Sequence, residues 1–109
     1  MVILSETDDL ERLCSESREA LRRLGAAGAR RLQTRLAELE AAARVTELVA
    51  GHPHPLKGGR AGQFAVNLDG GRRLVCEPAD DPLPLGDGGE VDWARVTTVR
   101  VTYIGDYHD

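Results

Sequence analysis

Aromatic side chains make up only 4% of the 109 residues, with one Phe, one Trp and two Tyr. Any core must therefore be aliphatic, filled by Leu, Val and Ala. Cysteine is nearly absent as well. Cys14 and Cys76 lie far apart in sequence and have no Cys-x-x-Cys or zinc-finger spacing, which argues against a disulfide scaffold and reads as two reduced, buried thiols. No apolar run approaches the roughly 20 residues that a membrane span needs. The opening Met1-Val2-Ile3-Leu4-Ser5 has no positive stretch and meets acid at once, so it reads against a secretory signal and for a cytoplasmic protein. An overall excess of cations is also missing. The net charge is −4, which argues against a non-specific nucleic-acid coat.

What is present suffices for one domain spanning residues 1–109. The chain is 41% hydrophobic and 29% charged, within the globular range. Charge is distributed unevenly. Between residues 52 and 73, Lys57, Arg60, Arg72 and Arg73 face only Asp69, whereas between 74 and 95 six carboxylates (Glu77, Asp80, Asp81, Asp87, Glu90 and Asp92) face only Arg95. A short basic block followed by an acidic one can present cations to an anionic substrate while the whole chain stays acidic.

The first half has helical periodicity. Val2-Ile3-Leu4 has the composition of an edge strand, and Ser5 or Thr7 followed by Asp8 and Asp9 supplies a helix cap and first-turn acids. Leu10, Leu13, Cys14, Ser17, Leu21 and Leu24 form one stripe ending at Gly25, with Gly28 in the break. A second helix carries Leu32, Leu36, Leu39 and Ala43 inward and leaves Arg30, Arg31, Arg35, Glu38 and Glu40 largely outside. Thr46–Ala50 adds a further turn. The second half changes period. Phe64, Val66 and Leu68 share one face of a strand, Asp69-Gly70-Gly71 makes a hairpin turn, and Arg72–Cys76 returns with Arg73 and Val75 opposite Leu74 and Cys76. Residues 77–89, rich in Pro, Gly and acid, form a loop. Val96–Ile104 is the longest strand, with Val99, Val101 and Tyr103 on one face. Helices first and strands after predict an α+β domain, a helical hairpin packed on a small, mainly antiparallel sheet.

His52, His54, Lys57 and Arg60 lie in the loop HPHPLKGGRAG, Arg73 projects from the hairpin, and Tyr107 and His108 follow the last strand. If that strand pairs beside the hairpin, imidazoles, cations and a phenol gather on one patch. Metal-free RNA cleavage needs such a set: a base for the ribose 2′-hydroxyl, cations for the charge gathering on phosphate, and an acid for the departing 5′-oxygen. Arginine adds two-point grip on phosphate oxygens. The same His-x-His and Asp-x-His donors could alternatively serve zinc or nickel, although without helical spacing to fix them.

The string HPLKGGRAGQF, the hairpin built from Asn67, Leu68, the turn, Arg72, Arg73 and Leu74, and the terminal IGDYHD together resemble the HigB-like killer toxins of the RelE/ParE superfamily. The resemblance covers residues 50 to 109 at motif level, and the helical hairpin agrees in architecture. The stretch EPADDPLPLGDGGEVDWARVT resembles a long-loop branch of that family. The resemblance implies a RelE-like fold and a type II toxin that cuts mRNA in the ribosomal A site by 2′-hydroxyl attack, with no metal or other cofactor. It also implies a HigA-like helix-turn-helix antitoxin as partner. It assigns Arg73 and Lys57 to phosphate and transition-state stabilisation, His108 or His54 to proton transfer and Tyr107 to positioning or stacking, with Arg60 and Asp106 in support. Gly59 stands where many members have Asp. Asn67 replaces an arginine, and Arg72 replaces an aromatic and so restores a positive charge. A toxin-fold protein acting by protein binding, as ParE-type relatives act on gyrase, is the alternative; such a protein has no chemical reason to keep His54, Lys57, Arg73 and His108 together.

Overall fold

The computed structural model describes residues 1–106; Tyr107, His108 and Asp109 lie outside the described residues. Strand β1 (Val2–Ser5) leads into helices α1 (Asp8–Ser15) and α2 (Ser17–Ala41), followed by β2 (His54–Pro55), β3 (Phe64–Asn67), β4 (Arg73–Pro78) and β5 (Thr98–Gly105). The five strands form one sheet in the order β1-β5-β4-β3-β2. β1 runs parallel to β5 and every other neighbouring pair is antiparallel. This is the expected α+β arrangement, with the helices on one face of the sheet. The core between the layers is aliphatic, as the shortage of aromatics requires: Leu13, Leu32, Leu39, Val66, Leu74, Val99 and Val101 are buried, together with the lone Phe64. Each such side chain contributes about 1.5–3 kcal/mol by leaving water.

Thr7 is the cap of α1, its hydroxyl accepting from the Leu10 N–H at 3.1 Å. The helix then stops earlier than the stripe of leucines suggests. Glu16 is extended (φ −110°, ψ 109°), and this break turns the next helix so that Ala20 is buried while Leu21 stays 54% exposed. Gly25 leaves helical geometry (φ 77°, ψ 174°) as its position in the sequence suggests. Gly28, expected in the break, is instead buried inside the helix. Ala43 lies beyond the end of α2 and is exposed, and the further turn falls at Val45–Glu47. Val96 precedes β5 rather than starting it, yet is fully buried.

Two arginines tie the layers together. Arg35, expected outside, is only 8% exposed. Its stem runs along the core-facing side of α2 while its head reaches the sheet edge, as long cationic side chains do. There Nε donates to the Asn67 carbonyl at 3.0 Å and Nη1 pairs with Glu38 at 2.7 Å. Arg72 donates from Nη1 to the Leu24 carbonyl at 2.7 Å, satisfying a helix-end acceptor just before the Gly25 break. Room for that contact depends on Gly28, where a Cβ would stand 2.6 Å from Arg72 Nη1 and 2.8 Å from Leu24 Cβ. The hairpin between β3 and β4 turns on Gly70 and Gly71 (φ 53° and 83°), the positive pair that a two-residue turn of this hand demands.

The acidic segment after β4 is folded back on the protein. Asp80 accepts from the Thr97 N–H and hydroxyl at 3.0 and 2.6 Å and from the Thr98 N–H at 3.0 Å, closing the loop onto the start of β5. Partial burial works to raise the Asp80 pKa, but the hydrogen bonds from Thr97 and Thr98 outweigh it and hold the carboxyl below its ordinary value.

Two expectations follow. Gly28→Ala, which in an open helix would gain about 0.5–1 kcal/mol, should instead cost about 1–3 kcal/mol through overpacking. The loss should shrink in an Arg72→Ala background, as measured by a double-mutant cycle of urea unfolding. Asp80→Asn should lower stability by about 1 kcal/mol at neutral pH, a figure already reduced for solvent screening. Because the folded pKa is depressed, that contribution exists above the ordinary aspartate pKa and is lost as pH falls through the folded value. The urea midpoints of the two chains should therefore converge as the pH is taken below the ordinary aspartate range.

Candidate functional site

Residues paired across neighbouring antiparallel strands share a face. The helix-facing rows are Phe64, Cys76 and Val101, and Val66 with Leu74. The rows on the opposite face are His54, Ala65, Val75 and Tyr103, and then Asn67, Arg73 and Gly105. Arg73 and Val75 thus lie opposite Leu74 and Cys76, as the alternation predicts. Tyr103 does not follow its alternation. A register shift between Val75 and Cys76 pairs Cys76 with Val101 but Val75 with Tyr103. This bulge takes up one extra residue of β5 and turns Tyr103 away from Val99 and Val101 onto the face that carries Arg73.

The turn between β2 and β3 folds back over this face. Its ends are held by the Leu56 N–H bonding to the Gln63 carbonyl at 2.8 Å. Arg60, in the 3-10 turn Gly58–Arg60, lies over the Tyr103 ring with its guanidinium carbon 5.0 Å from the centroid, within cation–π range. Tyr103 donates its hydroxyl proton to the Asp106 carbonyl at 3.1 Å. The Asp106 carboxylate sits against the hairpin turn, 3.4 Å from where a Cβ at Gly71 would be. Arg73 donates to the Gly71 carbonyl at 2.6 Å. Lys57 is exposed at the rim.

His54 sits on the edge strand. Its Nδ1 lies 2.8 Å from the His52 carbonyl, and the two imidazoles lie tilted at 34° with centroids 4.8 Å apart. A carbonyl only accepts, so Nδ1 carries the hydrogen, and in the neutral ring Nε2 keeps its lone pair. His52 holds this arrangement at φ 52°, a left-handed conformation that non-glycine residues adopt sparingly.

The structure thus brings His54, Asn67, Arg73, Tyr103 and Arg60 to one face, with Asp106 at its end. It does not bring Arg72 there: that side chain runs to Leu24 and lies 3.6 Å from Asp69. Asn67 stands opposite Arg73 in the register, with its Oδ1 buried and without a hydrogen-bond partner among the described residues. The expected roles of Tyr107 and His108 fall on residues outside the described ones. Among the described residues no three His, Cys, Asp or Glu side chains converge as a metal would require. Neither cysteine offers a thiolate. Burial pushes Cys14 up to about 11, with the Glu11 carboxylate adding to the effect and a Ser5 hydrogen bond opposing it, and burial raises Cys76 further. No helix is long and apolar enough to cross a membrane among the described residues.

The arrangement makes a definite expectation for His54. Nitrogen NMR of the neutral imidazole should show hydrogen on Nδ1 and a bare Nε2; hydrogen on Nε2 would contradict the geometry.

No family model matches the chain, and no curated protein sequence matches it either. Solved structures do. A YoeB/ParE toxin from Agrobacterium tumefaciens superposes with a TM-score of 0.62 at 16% identity, covering 99% of this chain and 100% of that one. A YoeB–YefM complex from Staphylococcus aureus gives 0.60 at 13% identity, covering 100% of this chain and 98% of that one. At this identity the likeness is one of fold, and it extends over the whole length of both partners. The chain has the fold of these toxins.

Proposed function

We propose that this protein is the toxin of a toxin–antitoxin pair and that its chemistry is metal-free endonucleolytic cleavage of mRNA on the ribosome. The observation that carries this reading is the single sheet face that holds the His54 imidazole, the Arg60 and Arg73 guanidiniums and the Tyr103 ring. The fold shared with a YoeB/ParE toxin supports the toxin role, and the HigB-like motifs of residues 50–109 supply the more specific assignment.

In the proposed reaction a general base takes the proton from a ribose 2′-hydroxyl, and the freed oxygen attacks the adjacent phosphorus. The bond to the 5′-oxygen breaks, and an acid protonates that oxygen as it leaves. The products are a 2′,3′-cyclic phosphate and a 5′-hydroxyl. His54 is suited to the first step because its Nε2 lone pair is left available by the Nδ1 bond to His52. Arg73 and Lys57 stabilise the charge that builds on the phosphate oxygens, which is where preorganised cations act most strongly. Arg60 holds a second phosphate or a base against Tyr103. Tyr107 and His108, beyond the described residues, are the proposed positioning group and acid, with Asp106 beside the hairpin turn leading into them. Arg72 serves the helix break in this reading and makes no contact with RNA.

The partner we propose is an antitoxin of the helix-turn-helix kind that covers the cationic face. That a solved structure of this fold is a complex of YoeB with YefM supports such pairing.

Arg73→Ala should relieve the growth arrest caused by wild-type expression and lower codon-linked transcript cleavage about 10²–10³-fold, the usual cost of removing one transition-state donor. Its Tm should move by no more than about 4 °C, because the side chain is half-buried on the sheet face and lies outside the hydrophobic core. Primer extension on induced transcripts checks the first claim and a thermal melt the second. Arrest retained by the variant, with transcripts unbroken, would assign the protein to the gyrase-type, protein-binding class.

A further inference from the structure

Beyond the sheet edge at β2 lies a pocket of about 280 Å³ that the reaction above leaves unused. Val45 and Thr46 come from the 3-10 turn after α2, His54 and Pro55 from the edge strand with Pro53 just before it, and Trp93 from the 3-10 turn before β5, with Leu48 and Phe64 at the base. Trp93 is the sole tryptophan of the chain. Its ring meets Phe64 edge-on, with centroids 5.6 Å apart and planes at 82°, so it is braced by the core and fixed in orientation. Neither Trp93 nor Thr46 is among the site residues that the sequence motifs assign.

We propose that this pocket seats one unstacked nucleobase of the RNA strand, next to the linkage that His54 acts on. The inference rests on the nuclease reading and adds a base-recognition site to it. Volume is the first argument. Ligand pockets commonly start at about 300 Å³, so this one is small: it admits a flat ring but not a whole nucleotide with its phosphate. Wall chemistry is the second. An indole and two proline rings offer flat apolar faces, and Thr46 adds a hydroxyl that can bond a base edge. Single-stranded RNA is read in this way, by splayed bases held against flat side chains. Adjacency to the cationic face is the third. His54 lines the pocket and belongs to the row of Tyr103, so a strand held at Lys57, Arg60 and Arg73 reaches the pocket by passing around the β2 edge. A peptide occupant would place its backbone polar groups against the apolar walls and would make no use of the adjacent cations.

The lone tryptophan gives a direct reading. The protein is titrated with an uncleavable RNA hexamer carrying 2′-O-methylribose at every position, and with the same hexamer made abasic at single positions. Trp93 emission should be quenched saturably by the intact hexamer. One abasic position should weaken that binding about tenfold, and Thr46→Phe, which fills the pocket without adding an indole, should bring the intact hexamer down to the abasic affinity. Equal quenching by intact and abasic strands, or no change in Trp93 emission up to millimolar hexamer, overturns the proposal. So does quenching by peptides but not by RNA. Transcript cleavage by the wild-type chain separates the two readings. Base-dependent quenching without cleavage keeps the pocket and removes the nuclease, and cleavage with base-blind emission does the reverse.

Discussion

The bulge between Val75 and Cys76 is the constraint on which the candidate site depends. A strand that alternates without interruption commits every second residue to the same side. In β5 that rule would send Tyr103 into the core behind Val99 and Val101, with no polar partner for its hydroxyl. One extra residue reverses the phase halfway along the strand. Val99 and Val101 then face the core while Tyr103 faces the opposite side, where Arg60 can lie over the ring and Asp106 can accept from the hydroxyl. β5 is an interior strand, paired with β1 over Thr98–Val101 and with β4 over Val99–Gly105, so the bulge falls where the pairing with β1 has ended.

The cations of the chain divide along the same boundary. Arg35 and Arg72 lie between the layers and cross in opposite directions, Arg35 from α2 to the Asn67 carbonyl of β3 and Arg72 from the hairpin to the Leu24 carbonyl of α2. Arg60, Arg73 and Lys57 belong to the far side or its rim. Arg72 and Arg73 are adjacent in sequence yet do different jobs, because consecutive side chains at a strand's start point to opposite faces. Their closeness in sequence is therefore no guide to a shared role.

Much of the architecture was legible in the sequence. The helical period before residue 45, the glycine pair in the hairpin, the alternation in β3 and β4 and the proline-rich acidic loop each follow from local chemistry, and together they yield the α+β class. The break at Glu16 was not legible, since Glu is an ordinary helix former and the reason for the break lies in how two helices share one sheet. The burial of Arg35 was hidden likewise: its acceptor, the Asn67 carbonyl, is 32 residues away. For the site, the motif residues His54, Lys57, Arg60 and Arg73 were readable as types of chemistry. Tyr103 was not, because nothing in Val-Thr-Tyr-Ile announces a bulge. Trp93 was passed over because it lies in a loop defined by its prolines and acids.

The parallel pairing of β1 with β5 joins the first strand to the last, Val2 opposite Thr98 and Ser5 opposite Val101. Such a contact closes a loop of nearly the whole chain, the slowest kind to form. During synthesis the opening hydrophobic strand must wait without a neighbour until the final segment has left the exit tunnel. A fragment that ends before β5 lacks the strand that joins β1 to β4, and with it the Tyr103 ring that Arg60 covers. Emergence of β5 is in this sense the condition for the five-stranded sheet to close.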